Sequence, residues 1–270
     1  MTLATCLDLP LQLETDTKSQ IFMTRQSFRA NVAVLLMVTS GAAIGDWTLD
    51  IETGALGFNR NDVQIPNDSH GDRFDLLDLT GKGPDPYLRL KLERDWGERH
   101  TVTGLYAPVR TSGTGTFDTD VRFAGETFVA GNPVRASYQF NTYRIGYRYT
   151  WRETDRWRLR IGGSLLIRDA NICLRQDGRS ADDPDLGFVP LLAFEATRFL
   201  TPRWSAELDV EGLGAPQGRA IDASVSLNYH LKEDLSLRAG YRTLEGGADN
   251  SSVYTFAWLH YGLVGVRYGF

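Results

Sequence analysis

The chain is expected to be all-β, its strands closing into an antiparallel transmembrane β-barrel of about ten strands, with eight or twelve as the neighbouring counts. Three observations carry this expectation. Apolar and polar residues alternate with period two through most of the sequence after residue 46, as in strands with one face toward each of two media. The connections between strands alternate short and long, which a membrane barrel has reason to keep and a soluble sandwich does not. The chain also finishes on a strand, 253–270, in which Gly262, Val264, Val266 and Tyr268 alternate with Leu263, Gly265, Arg267 and Gly269 before the terminal Phe270.

Composition sets the outer bounds. The 270 residues carry a net charge of -5, which argues against a nucleic-acid partner, since that would want a basic face. Mean hydropathy is -0.28, modest because a barrel strand shows only alternate residues to lipid. No apolar run reaches the length of a transmembrane helix. Cys6 and Cys173 are too isolated to read as a disulfide framework or a metal site, and the four histidines are scattered. No cofactor or metal is expected.

Residues 23–45 have the layout of a secretory signal peptide. Arg25 and Arg29 form a positive start, Ala30 to Val38 an apolar segment, and Ser40 to Gly45 a run of mostly small residues suited to cleavage. Residues 1–22 read as an upstream extension or a disordered segment, with Met23 as the true start. The barrel is then expected over 46–270, with Cys173 as its one thiol.

The first strand covers Trp47 to Gly57, with Trp47, Leu49 and Ile51 alternating with Thr48, Asp50 and Glu52. The polar stretch Asn59 to Pro86 reads as a loop. The second strand, Tyr87 to Trp96, and the third, Thr101 to Arg110, flank the tight turn Gly97-Glu98-Arg99. A Gly-, Thr- and Asp-rich segment, Thr111 to Pro133, leads to the fourth strand, Val134 to Trp151. There Tyr143, Ile145, Tyr147, Tyr149 and Trp151 share one phase, whereas Tyr138 and Phe140 sit in the other. This change of phase predicts a one-residue slip, a β-bulge, near Asn141. The fifth strand is Trp157 to Leu174, followed by a loop from Gln176 to Gly187 and the sixth strand, Phe188 to Leu200. The seventh starts at Trp204, the eighth at Ile221 and the ninth at Leu235, and the loop Glu245 to Ser252 enters the last. Trp96, Trp151, Trp157, Trp204 and Phe270 all fall at short-turn ends, where one interfacial aromatic girdle belongs.

With this terminal strand, strand parity and leader, the chain resembles small bacterial outer-membrane β-barrel proteins over essentially its whole mature length. The resemblance implies residence in the bacterial outer membrane, among lipopolysaccharide and phospholipid. It also implies insertion by the barrel assembly machinery, with Tyr268 and Phe270 as the assembly signal. It implies no particular chemistry.

The polar phase faces the lumen and is sorted by sign between strands. Arg144, Arg148, Arg160 and Arg168 come from the fourth and fifth strands, and Arg238 and Arg242 from the ninth. Glu195, Glu207, Asp209, Glu211 and Asp222 come from the sixth to eighth. Across a small lumen these charges are expected to pair and largely fill it, because isolated charges there are costly. The favoured reading is a non-enzymatic barrel, structural or binding a ligand through its outer loops. A narrow channel for small polar solutes is the first alternative. A lipid-modifying enzyme using His260, with Ser251, Ser252 and Glu245 near the same end, is the second. Asp182-Asp183 in the expected outer loop has no Asp-His partner to complete a protease pattern. Arg168-Asp169 and Arg219 read as loop anchors or as a ligand-binding rim.

Overall fold

The computed structural model describes residues 47–270. The expectations for residues 1–22 and 23–45 lie outside the described residues. In chain order the elements are β1 (Trp47–Gln64), β2 (Phe74–Asp75), α1 (Leu77–Thr80), β3 (Asp85–Trp96), β4 (His100–Gly115), β5 (Val121–Phe123), β6 (Glu126–Phe128) and β7 (Val134–Glu153). They continue as β8 (Trp157–Gln176), β9 (Arg179–Thr201), β10 (Trp204–Ala215), β11 (Gly218–His230), β12 (Leu235–Asp249) and β13 (Tyr254–Gly269). Ten of these strands form the wall: β1, β3, β4 and β7 to β13, each antiparallel to the next. The terminal strand then pairs back onto the first, from Thr48 opposite Gly269 to Gln64 opposite Tyr254. This closes the sheet, so most of its backbone polar groups are paired within the wall, as a bilayer demands.

Turn chemistry shapes the two ends differently. Four short turns and both ends of the described chain share one end of the barrel, where Trp47 and Phe270 exchange backbone hydrogen bonds of 3.2 and 2.9 Å. The other end carries two long connections, 65–84 and 116–133, that fold over the barrel. The first contains α1 and the second the β5–β6 hairpin. The remaining outer connections are tighter than expected. The Gln176–Gly187 loop is absent, because β8 and β9 run on to a two-residue turn at Asp177-Gly178. Their φ angles of 47° and 82° suit a primed turn, for which Asp-Gly is a favoured pair. The first strand likewise continues to Gln64, beyond the expected end at Gly57.

β7 reveals why its pattern changes phase. Even-numbered residues point inward from Val134 to Thr150: Thr142, Arg144, Arg148 and Thr150 in the lower half, and Val134, Ala136 and Tyr138 in the upper half, are all buried. The ladders to both neighbours are unbroken at Asn141, and the register shift lies between Thr150 and Arg152. The bulge expected near Asn141 is therefore corrected. The backbone does not slip; the surroundings invert. In the bilayer the outside is apolar and the inside polar. Above it the outside meets water and the inside becomes an apolar core.

The same inversion recurs in β1, where Asp50 and Glu52 give way to Leu56 and Phe58, and in β13, where Arg267 gives way to Leu263, Tyr261 and Leu259. The long outer connections complete the upper core. Leu76, Leu77 and Leu79 around α1, and Phe117, Val121, Phe123 and Phe128 around the β5–β6 hairpin, pack onto these inward residues. Arg122 of that hairpin clamps Asp72 of the first long connection with hydrogen bonds of 2.9 and 2.7 Å.

Candidate functional site

The lumen is filled by charge. Its lower layer joins β13, β12, β10 and β1: Arg267 donates to Glu207 at 2.9 Å and to Asp50 at 3.1 Å, and Arg238 also pairs with Asp50. In the middle, Arg148 reaches Glu195 at 3.0 Å, Asp209 at 2.8 Å and Glu211 at 2.6 Å. Arg160 forks onto both oxygens of Glu195, and Lys91 sits 2.6 Å from Glu93 and 3.5 Å from Asp209. The upper layer centres on Asp222, which accepts from Arg242 at 2.6 Å, Arg89 at 3.0 Å and Arg144 at 3.2 Å. Arg242 also holds Glu52, which accepts the Tyr87 hydroxyl at 3.1 Å. There the polar layer meets the apolar core, with the Tyr87 and Tyr261 rings packed edge to face.

The network is electrically balanced. Its acids are Asp50, Glu52, Glu93, Glu195, Glu207, Asp209, Glu211 and Asp222; its cations are Arg89, Lys91, Arg144, Arg148, Arg160, Arg238, Arg242 and Arg267. The eight acids and eight cations leave no net charge. They also leave a cavity of only about 30 Å³ among them, close to the share of one water in the liquid.

Ten of the sequence-derived lumen residues meet here. Arg168 does not, and this assignment is corrected. It shares the inward phase but sits higher, paired with Asp185 above the charged layer. Asp50, Glu52, Arg89, Lys91, Glu93 and Arg267 were not singled out, although the period-two pattern gave the same signal for each.

Above the charge lies a second space. A cavity of about 570 Å³ occupies the outer end on the side of β8 to β13, away from the folded-in connections. Its wall is mainly apolar, with Phe140, Leu166, Ile172, Ala220 and Leu244, and the Arg168–Asp185 pair is set into it. Asp169 faces away from this space and accepts from Gln139 and Asn141 at 3.1 and 2.9 Å. Arg219 pairs with Glu245 and lies 4.8 Å from the Phe256 ring.

His260 lies on the outward phase of β13. Its Nδ1 is hydrogen-bonded to the Tyr241 hydroxyl, and its ring packs 4.9 Å from Trp258. Of the sequence-derived companions, Glu245 pairs with Arg219, and Ser251 and Ser252 lie in the turn between β12 and β13, where the Ser252 amide donates to Asn250. Asp182 and Asp183 lie within β9 and not in a loop, so successive side chains point to opposite faces of the wall. Cys173, expected as a lone thiol, is disulfide-bonded.

Outward lie Ile145, Tyr147, Ile161, Leu165, Leu192, Leu208, Val225, Leu237 and Val264, all exposed. Trp96, Trp151, Trp157, Trp204 and Phe270 ring the short-turn end. A closed wall with an apolar belt, an aromatic girdle and a polar filled interior defines a membrane-spanning β-barrel of the outer-membrane type. One solved structure supports the fold, and two others are similar to a lesser degree. Outer membrane protease OmpT from Escherichia coli superposes with a TM-score of 0.54 at 8% identity, covering 86% of this chain and 99% of that one. The translocator domain of autotransporter NalP from Neisseria meningitidis gives 0.46 at 12% identity, covering 86% and 90%. Ail of Yersinia pestis gives 0.37 at 10% identity, covering 84% and 100%. No protein-family model and no curated protein matches the chain.

Proposed function

We propose that this is a barrel of the bacterial outer membrane that does not conduct and binds a small ligand in its outer-end cavity. The observation that carries the reading is the contrast between the two spaces: about 30 Å³ within the charged layer and about 570 Å³ above it. Ligand pockets span roughly 300–1,000 Å³ and are mostly apolar with a few polar groups. The outer cavity has that size and lining. The charged layer has neither a through-path nor a single-sign field to select an ion. With both ends of the described wall at the short-turn end, that end faces the periplasm, and the cavity opens toward lipopolysaccharide and the exterior.

Planar-bilayer recording of the purified protein tests the closed lumen. A flat trace at neutral pH is expected, and a steady ion-selective conductance would overturn this reading in favour of the narrow channel. Arg148→Ala, which removes the central cation, is the positive control for a lumen that can be opened.

A further inference from the structure

The barrel wall is incomplete beside the cavity. β9 pairs with β8 from Arg179 to Arg198, but its ladder with β10 stops at Leu192 opposite Gly212. Beyond this point no ladder pairs β9 on that edge: β10 runs on to Ala215 paired only with β11 and then turns back at 216–217. The sequence accounts for the stop. The Phe199 amide donates to Arg156 on the β8 side, and peptide groups alternate sides along a strand. Odd-numbered amides of β9 therefore face β8, and even-numbered ones face the β10 edge. Pro184 and Pro190 are both even. Continuing the register would set Pro190 opposite Gly214, where proline has no N–H to donate.

The gap has apolar lips. Phe188 and Leu186, 62% and 63% exposed, continue the lipid-facing row of Leu192 and Phe194 up the β9 edge. Leu213 stands on the opposite lip. The cavity reaches both lips. Of the charged residues in its lining, Arg168 pairs with Asp185 and Arg219 with Glu245, and Asp183 adds one further carboxyl. Besides its mouth toward the exterior, an apolar space with such a rim opens sideways to hydrocarbon.

We propose that this gap is a lateral doorway through which an uncharged, long-chain hydrophobe dissolved in the outer leaflet enters the cavity. The inference rests on the cavity being a binding site, and it adds the class of ligand and its route.

The test uses the barrel in lipid vesicles carrying a diazirine-labelled long-chain alcohol. Labelled positions are mapped by mass spectrometry after illumination. The wild type is expected to carry label on the outward belt and on the inward Ala220 and Leu244. Ala220→Trp, which fills the cavity, should lose the inward label and keep the belt label. Val189→Cys with Ala215→Cys, in a background with Cys6→Ser and Cys173→Ser, joins the lips at positions that the continued register sets opposite. Oxidation should abolish the inward label, and reduction should restore it. A pair that resists oxidation is closed with a bis-maleimide, and the same loss is expected. Belt label without inward label in the wild type would overturn the binding site itself. Inward label that survives closure of the lips would leave the binding site standing and eliminate the doorway.

Discussion

Arg148 shows what a single buried charge does in this lumen. It is 1% exposed and is held by three carboxylates on β9 and β10. A buried ion pair is weak evidence for stability, because desolvation offsets most of the attraction. Removing one partner is different, since the acids left behind remain buried and lose their counter-charge. Arg148→Ala is expected to cost about 3–5 kcal/mol, measured by urea unfolding of the lipid-embedded barrel. An unchanged midpoint would mean that water already reaches Glu195. The inward direction of Arg148 was legible from alternation alone, as it was for Glu195 and Asp222. Its partners were not, because Glu195 and Glu211 reach it across the lumen from strands distant in sequence. Arg168 shows the complementary failure: phase marks the inward face but carries no information about height, and Arg168 lies four positions beyond Ser164, whose hydroxyl donates to Glu211 of the charged layer.

In β7 the lesson concerns solvent. A change of hydrophobic phase is ordinarily read as a bulge, yet the ladder through Asn141 is regular. The strand crosses from lipid into water, and the apolar face follows the medium. Two substitutions separate these accounts. Ala136→Asp places a carboxylate in the upper core and is expected to cost roughly 1–3 kcal/mol. Arg135→Asp on the exposed face should stay within about 0.5 kcal/mol of wild type. A bulge at Asn141 would exchange the two results in the same unfolding measurement.

The outer connections depend on charge in another way. The Arg122 fork holds the Asp72 carboxyl down at about 2, from an ordinary value of 3.8. A lowered carboxyl stabilises the folded clamp fully above its unfolded value, and that contribution disappears as pH falls from 3.8 through about 2. Hydrogen exchange at the Arg122 amide, which donates to Asp72 at 2.9 Å, should therefore quicken over that interval relative to its intrinsic rate. At neutral pH, Asp72→Asn should speed tryptic cleavage after Arg73 and Arg122 several-fold while the barrel stays intact. Equal cleavage would show that the apolar contacts of Phe74, Phe117 and Phe123 hold the connections unaided.

Closure is what the chain achieves as one body. β1 and β13 are the most distant strands in sequence, yet they share a ladder sixteen pairs long. Such a closed wall resists detergent at room temperature and opens on boiling, so the folded protein is expected to migrate faster than the boiled one on a gel. Identical mobility would argue against closure in the membrane. We also propose that Tyr268 and Phe270 act as the assembly signal. Deleting Phe270 should lower the amount of heat-modifiable barrel in cells and leave refolding into detergent nearly unchanged. An equal loss in both would make Phe270 a structural residue, through its backbone pairing with Trp47.

Period-two alternation, turn residues and strand parity are local or additive properties. They were enough to predict an antiparallel barrel of about ten strands, with eight or twelve left open, its aromatic girdle and the inward direction of most lumen charges. The Asp177-Gly178 turn was equally local, and the long Gln176–Gly187 loop would have been avoided by giving that dipeptide its usual weight. Other features came from the closed wall. Closure brings eight acids and eight cations from separate strands within reach of one another and so fills the lumen. The height at which the wall leaves the bilayer decides where the inside turns apolar. The outer cavity and the open edge beside Pro190 follow from where β10 turns back relative to β9, a relation between strands that neither stretch of sequence contains.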